Sequence, residues 1–67
     1  MGKIKITDKE KEILIHISDG TPDKEIANIL NRSIATVRLH VMRLFAKSGC
    51  DNSVSLITWA FRNGVIK

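Results

Sequence analysis

The sequence lacks the features of several large classes of protein. Among its 67 residues there is one cysteine, Cys50, so an intramolecular disulfide is impossible and a reducing, cytoplasmic location is expected. No apolar run exceeds four residues, which excludes a membrane-spanning helix and leaves no signal-peptide core after Met1. With no repeat or low-complexity linker, residues 1–67 are expected to form one domain, with residues 1–5 as a flexible tail.

Motifs that carry enzyme or metal chemistry are missing as well. There is no glycine-rich phosphate loop, no nucleophile beside a base and no plausible carboxylate pair. His16 and Cys50 lack the spacing of zinc ligands, and two ligands fall short of the three or four that zinc needs. We therefore expect no enzymatic activity, no metal and no cofactor.

Acidic residues are absent from the middle of the chain. The formal net charge is +4, from 11 Lys+Arg and 7 Asp+Glu, but residues 1–25 alone hold six of the acids. Residues 26–50 hold none, and their basic residues are Arg32, Arg38, Arg43 and Lys47. Positive charge concentrated in this way is expected of a surface that binds a polyanion, and a solvated basic face is the alternative.

Capping signals divide the chain into four predicted helices, at about 7–19, 22–30, 34–48 and 53–63. Thr7 and Glu10 form a capping box at the first helix, which Gly20 ends. Thr21 is the expected cap of the second helix, with Pro22 in its first turn. Asn52 or Ser53 caps the fourth.

The second and third predicted helices are separated by only three residues, 31–33. Asn31 can adopt the left-handed conformation that ends a helix, and Ser33 is a good N-cap for the next one. A link this short fits the crossed helices of a helix-turn-helix. Because no alternating β pattern appears, the predicted fold class is all-α, a four-helix bundle-like domain that contains a helix-turn-helix.

The third predicted helix has an ordinary core face and an unusual outer face. The core face holds Val37, Val41 and Leu44. The outer face holds Arg38, Leu39, Met42 and Arg43. Such a mixture suits a surface that reads DNA, since arginine binds guanine or phosphate and apolar side chains meet thymine methyl groups. Backbone N–H groups at the start of this helix, and Lys24 of the second, are further candidates for phosphate contact.

The fourth predicted helix has an apolar arc wider than the stripe that one core requires. Exposed apolar patches often mark self-association, so we expect this helix to form a dimer. The alternative is that a thin core needs every apolar side chain. The candidate dimerisation residues are Val54, Ile57, Thr58 and Phe61.

Motifs along the chain then identify a family. They are Glu10 and Glu12 ahead of "IL", Gly20, "KEIA", "TVRLHV", Lys47, Gly49 and the final "NG". In this order and spacing, residues 6–66 resemble the LuxR-type (NarL/GerE) helix-turn-helix domain of bacterial transcription regulators. The resemblance implies that the third helix enters the major groove and that the fourth dimerises.

The resemblance also implies roles for individual positions. Those of Arg38, Leu39 and Met42 face base edges, whereas those of Thr36, Arg43 and Lys47 lie toward phosphates. Together with the residue-based candidates, the predicted DNA-binding set is Lys24, Ser33, Ala35, Thr36, Arg38, Leu39, Met42, Arg43 and Lys47.

The expected partner is double-stranded DNA. A two-fold dimer places two recognition helices about 34 Å apart, so the DNA site should be pseudopalindromic. No membrane partner is expected. RNA polymerase is a candidate second partner. The alternative function is a protein–protein interaction module that pairs with another transcription regulator or a polymerase subunit. An RNA-binding domain is less favoured, because aromatic stacking residues are missing beside the arginines.

Overall fold

Four helices make up the structure, a computed structural model that describes residues 5–66. They are α1 (Asp8–Ser18), α2 (Asp23–Leu30), α3 (Ile34–Ser48) and α4 (Ser53–Arg62). The all-α prediction is confirmed, and each predicted boundary lies within one residue of the observed one. Most of the expected flexible tail, residues 1–4, lies outside the described residues. Within residues 5–66, no helix is long and apolar enough to cross a membrane.

Side-chain caps fix the starts of three helices. At α1 the capping box forms as predicted: the Thr7 hydroxyl accepts the Glu10 N–H at 3.2 Å, and Glu10 Oε1 accepts the Thr7 N–H at 3.0 Å. At α3 the Ser33 hydroxyl accepts the Thr36 N–H at 3.1 Å. At α4 the structure selects Asn52, whose Oδ1 accepts the N–H of Ser55 at 2.8 Å.

The start of α2 corrects the sequence prediction by one residue. Pro22, rather than Thr21, is the N-cap, and no side chain caps this end. The proline ring holds φ at −65°, but ψ is 153°, so Pro22 is extended and the first helical residue is Asp23. Two acidic side chains in the first turn, those of Asp23 and Glu25, complement the helix dipole there.

The turn between α2 and α3 is closed by the backbone. Asn31 adopts the predicted left-handed conformation, with φ of 55°. The next amide, that of Arg32, donates to the carbonyl of Ala27 at 2.9 Å, which satisfies a carbonyl at the end of α2. Ser33 then starts α3 at once. The two helices therefore cross and pack against each other as a helix-turn-helix.

A small apolar core holds the four helices together. Helix α3 is central to it, because it packs against α1, α2 and α4. The fully or nearly fully buried apolar residues are Ile13, Leu14, Ile26, Ala27, Val37, Leu44, Leu56, Ala60 and Ile66. Since Val37 and Leu44 lie on the inner side of α3, its opposite side faces solvent.

Candidate nucleic-acid interface

The solvent side of α3 forms one continuous surface, here called the reading face: Ala35, Arg38, Leu39, Met42 and Arg43. All five residues are exposed, and at about 100° per residue they span an arc of about 140°. The structure thus brings together five of the nine predicted DNA-binding residues. Ala46 is also exposed on this arc, and counting along the helix could have included it.

Two apolar side chains on the reading face do not contribute to the core. Leu39 is 47% exposed and Met42 is 65% exposed, although both belong to a well-packed helix. Single exposed apolar residues are common on protein surfaces, but these two lie between Arg38 and Arg43. The combination offers cationic and apolar contacts within one strip, which suits the edges and phosphates of a DNA groove.

Arg38 has a single acidic neighbour within residues 5–66. Its Nε lies 3.8 Å from Oδ2 of Asp23, the first residue of α2. Both side chains are accessible, at 69% for Arg38 and 41% for Asp23. At this distance the two groups form an ion pair without a hydrogen bond. The Arg38 guanidinium is therefore accessible to a ligand, and its Nε side is turned toward the Asp23 carboxylate.

The start of α3 supplies the remaining predicted backbone-facing groups. The Ser33 and Thr36 hydroxyls share a hydrogen bond of 2.9 Å, and the Thr36 amide is already held by Ser33. Earlier amides of the first turn, such as that of Ala35, are left for a ligand. Lys24, the residue after Asp23, is exposed on α2.

Lys47 is placed differently from the reading face. Its ammonium donates to Glu10 Oε1 at 2.6 Å and to the carbonyl of Lys5 at 2.9 Å, and only 32% of its side chain is exposed. Two of its three N–H donors are thus used inside the domain. Lys47 therefore links α3 to α1, and one donor remains for the predicted phosphate contact.

Glu10 is the buried partner in this pair. Burial raises the pKa of Glu10 and is the largest single cause, but it is outweighed by the hydrogen bonds from Lys47 and Thr7 and by the Lys47 charge. The net result is that the pKa of Glu10 lies below its usual value of 4.5. The carboxylate is consequently ionised at neutral pH and holds the Lys47 ammonium in place.

A second exposed surface lies on α4. Val54 is 75% exposed and Phe61 is 48% exposed, and Thr58 lies between them on the same side of the helix. The Thr58 hydroxyl donates to the Val54 carbonyl at 2.9 Å, which leaves its methyl group for contact. The fourth predicted dimerisation residue, Ile57, is half-buried and packs against the core.

Two site residues escaped the sequence analysis in these roles. The sequence predicts Glu10 only as a capping residue and family motif, and it gives Asp23 no role beside the third helix. Both contacts join residues far apart in sequence, 15 positions for Asp23 and Arg38 and 37 for Glu10 and Lys47. Periodicity within one helix carries no signal for such pairs. Within the described residues, no three His, Cys, Asp or Glu side chains are grouped as metal ligands would be.

The four helices and the crossed α2–α3 pair define a helix-turn-helix domain, and comparison with known proteins identifies its family. The family described as "Bacterial regulatory proteins, luxR family" matches residues 5–60. A probable transcriptional regulator, ycf29 of Pyropia yezoensis, is 38% identical over 64 residues, which is 96% of this chain and 29% of that protein. The response regulatory protein YgeK of Escherichia coli (strain K12) is 42% identical over 60 residues, 90% of this chain and 41% of that protein.

A solved structure agrees with the sequence relatives. The crystal structure of the response regulator ChrA, from a heme-sensing two-component system, superposes with a TM-score of 0.91 at 30% identity, over 98% of this chain and 33% of that one. The chain therefore belongs to the luxR family of bacterial regulatory proteins, and it is a helix-turn-helix DNA-binding domain rather than an enzyme. It spans between 29% and 41% of the length of the two curated relatives described above.

Proposed function

We propose that this chain binds double-stranded DNA sequence-specifically as a homodimer, with α3 in the major groove. The observation that carries the proposal is the reading face, which presents Arg38, Arg43, Leu39 and Met42 together on one exposed, acid-free side of α3. Family membership supports DNA as the ligand. The major groove of B-DNA is wide enough to admit an α-helix.

Within this proposal, residues on the reading face divide into two roles. Arg38 contacts guanine O6 and N7, and Leu39 and Met42 contact thymine methyl groups or the groove surface. Arg43 lies at one margin of the face and neutralises a phosphate, which fixes register without carrying sequence information. Ala35 is small enough to let the helix approach the bases closely.

The groups at the margins of the site serve the phosphate backbone. The exposed amides near Ser33 and Thr36 bind one phosphate through the positive end of the α3 dipole. Lys24 on α2 binds another. Lys47 contributes through its remaining N–H, and its main task is to hold α3 against α1.

Dimerisation is the second part of the proposal. The exposed strip on α4 consists of Val54, Thr58 and Phe61, and it pairs with the same strip of a second copy. Ile57 lies between this strip and the core. A two-fold dimer positions two α3 helices for half-sites about 10–10.5 bp apart from centre to centre. The DNA site is then a pseudopalindrome.

The experiment that tests this proposal is selection of binding sites from random duplexes, followed by titration of the selected site. We expect a two-fold symmetric motif that contains guanine, and a complex of two chains per duplex. Arg38→Ala should lower affinity for the selected site far more than for a random duplex, whereas Arg43→Ala should lower both similarly. Equal losses for both duplexes with Arg38→Ala would contradict the reading role.

A second candidate function is an interaction module that binds another regulator or RNA polymerase. The exposure of Leu39 and Met42 is the observation that favours it, since apolar side chains also serve protein interfaces. A complete lack of binding to random duplex DNA at about 50 mM salt would favour this function, because non-specific DNA binding is strong at low salt. The leading proposal also places this chain in the cytoplasm and in contact with RNA polymerase.

A further inference from the structure

Within residues 5–66, the acidic residue that is ion-paired with the reading face is Asp23, at the first position of α2. Its carboxylate lies 3.8 Å from Nε of Arg38, across the crossing of the two helices. We propose that Asp23 orients the Arg38 guanidinium for guanine and so sets the base preference at the position that Arg38 reads. This inference rests on the proposed function, and it assigns to Asp23 a positioning role without contact to DNA.

The pairing uses the nitrogen that a guanine contact can spare. Arginine carries five N–H donors in a planar fork, and its two terminal nitrogens are enough to bind guanine O6 and N7 together. A carboxylate on the Nε side leaves both of those nitrogens free. The carboxylate also restricts rotation of the long Arg38 side chain, which is 69% exposed. The orienting effect lowers the entropy that Arg38 loses when it binds a base.

The dipole of α2 favours an acid in its first turn, but the pair with Arg38 adds little further stability. An exposed ion pair contributes little to folding, and this one is longer than a hydrogen bond. A carboxylate beside a DNA-facing surface also repels phosphates and so weakens binding to every sequence. Its benefit is therefore expected in the discrimination between sequences, which depends on the orientation of Arg38.

The scaffold positions Asp23 reliably. As the first residue of α2 it lies on a regular helix, and its charge is favourable at the positive end of the dipole. Helix α2 is held in turn by Ile26 and Ala27, which are buried against the core that also contains Val37 of α3. The helix-turn-helix itself thus sets the backbone separation across which Asp23 and Arg38 pair.

The chain offers a closely matched pair of variants for the test. Asp23→Asn removes the carboxylate charge with little change in shape. Glu25→Gln removes the same charge from the same turn of α2, and within residues 5–66 Glu25 forms no ion pair with Arg38. Both variants, the wild type and Arg38→Ala are taken through binding-site selection from one pool of random duplexes. Each is then titrated on the selected site, on the site with the guanine replaced, and on random duplex.

We expect Asp23→Asn to reduce the preference for guanine over the replacing base by about two- to fivefold, the size of effect that an exposed ion pair can exert. Its affinity for random duplex should rise, because a negative charge has been removed. Glu25→Gln should show the same rise and keep the preference of the wild type. The Arg38 Nε–H signal in NMR spectra of the free protein should shift in Asp23→Asn and not in Glu25→Gln. A general charge effect would instead shift the signal in both variants.

The outcomes separate this inference from the function on which it rests. If the wild type prefers guanine, Arg38→Ala abolishes that preference and Asp23→Asn retains it, the role of Asp23 is overturned and the proposed function stands. If the wild type selects no motif, both are overturned. Should Asp23→Asn fail to fold by circular dichroism, Asp23→Ala removes the same charge with a residue of high helix propensity.

Discussion

Lys47 Nζ lies 2.6 Å from Glu10 Oε1, so the last turn of α3 is ion-paired with the first turn of α1. Within the described residues the same ammonium pairs with no other acid, and it donates its second hydrogen bond to the carbonyl of Lys5. Glu10 is also bound by the backbone and hydroxyl of Thr7. This small network joins the last turn of α3 to the first turn of α1 and to the residues just before it.

Loss of Lys47 should destabilise the fold. Lys47→Met keeps much of the aliphatic length but leaves the buried Glu10 carboxylate without its charged partner. We expect a loss of about 1–3 kcal/mol in the free energy of unfolding, the usual cost of a buried group that loses its partner. For a domain of this size, each kcal/mol corresponds to about 4–8 °C in Tm. Urea unfolding measures the change, with the exposed Lys11→Met as control; equal stability of the two variants would contradict the prediction.

The stability of the domain should depend on pH through Glu10. Because its pKa is lowered by folding, the unfolded chain takes up a proton near pH 4.5 while the folded chain stays ionised to lower pH. The stabilisation from Glu10 is therefore fully present above about pH 4.5 and is lost as pH falls through the lowered pKa.

The Glu10→Gln variant isolates this contribution. Its deficit in unfolding free energy relative to the wild type should be largest at neutral pH and shrink as the pH falls below about 4.5. Urea unfolding between pH 3 and 7 is the measurement, over a range of about four pH units that spans acid protonation. Glu12→Gln, at an exposed site on the same helix, is the control. A deficit that is independent of pH would show that Glu10 acts only through its shape.

Arg43 should contribute to DNA affinity without contributing to specificity. Arg43→Ala is expected to reduce the slope of log affinity against log salt by about one for each protomer that binds, because one phosphate contact is lost. Titrations of random and selected duplexes at several salt concentrations measure the slope. Lys11→Ala removes a positive charge from α1, outside the reading face, and should leave the slope close to that of the wild type. Lys47 is unsuitable for this test, since its removal also disturbs Glu10.

The exposed strip on α4 should control the oligomeric state. Val54→Glu introduces a charge at a position that is 75% exposed in the single chain, so it should leave the fold intact and prevent self-association. Sedimentation with and without DNA gives the stoichiometry, and circular dichroism checks the fold. Ser55→Glu adds the same charge about 100° further round the helix and serves as control. Self-association of Val54→Glu equal to that of the control would rule out this strip.

Local patterns were sufficient to predict the helices. Thr7, Ser33 and Asn52 are capping residues whose side chains reach amides three positions ahead, so their effect is visible in the sequence. Asn31 is similarly informative, because few residues other than glycine tolerate a positive φ. The exception is Pro22, which can stand either just before or just within the first turn; its extended ψ became known only from the structure.

Long-range pairs were beyond the reach of the sequence. Periodicity placed Arg38, Leu39 and Met42 correctly on the outer side of α3, since that side is set by Val37 and Leu44 facing inward. It could not distinguish Lys47 from Arg43, because both are basic residues near the same end of one helix. Their difference arises from Glu10 of α1 and from Lys5 just before that helix, and such neighbours are determined by how the chain packs.

The two sides of α3 should respond differently to substitution. Val37 and Leu44 are fully buried, so changes there should cost stability, whereas Leu39 and Met42 are exposed and changes there should cost little. Under the proposed function, mutations at these outer positions redirect the domain to new operators while the scaffold persists. On that proposal, a few substitutions on one strip of one helix are expected to be enough to change the DNA target.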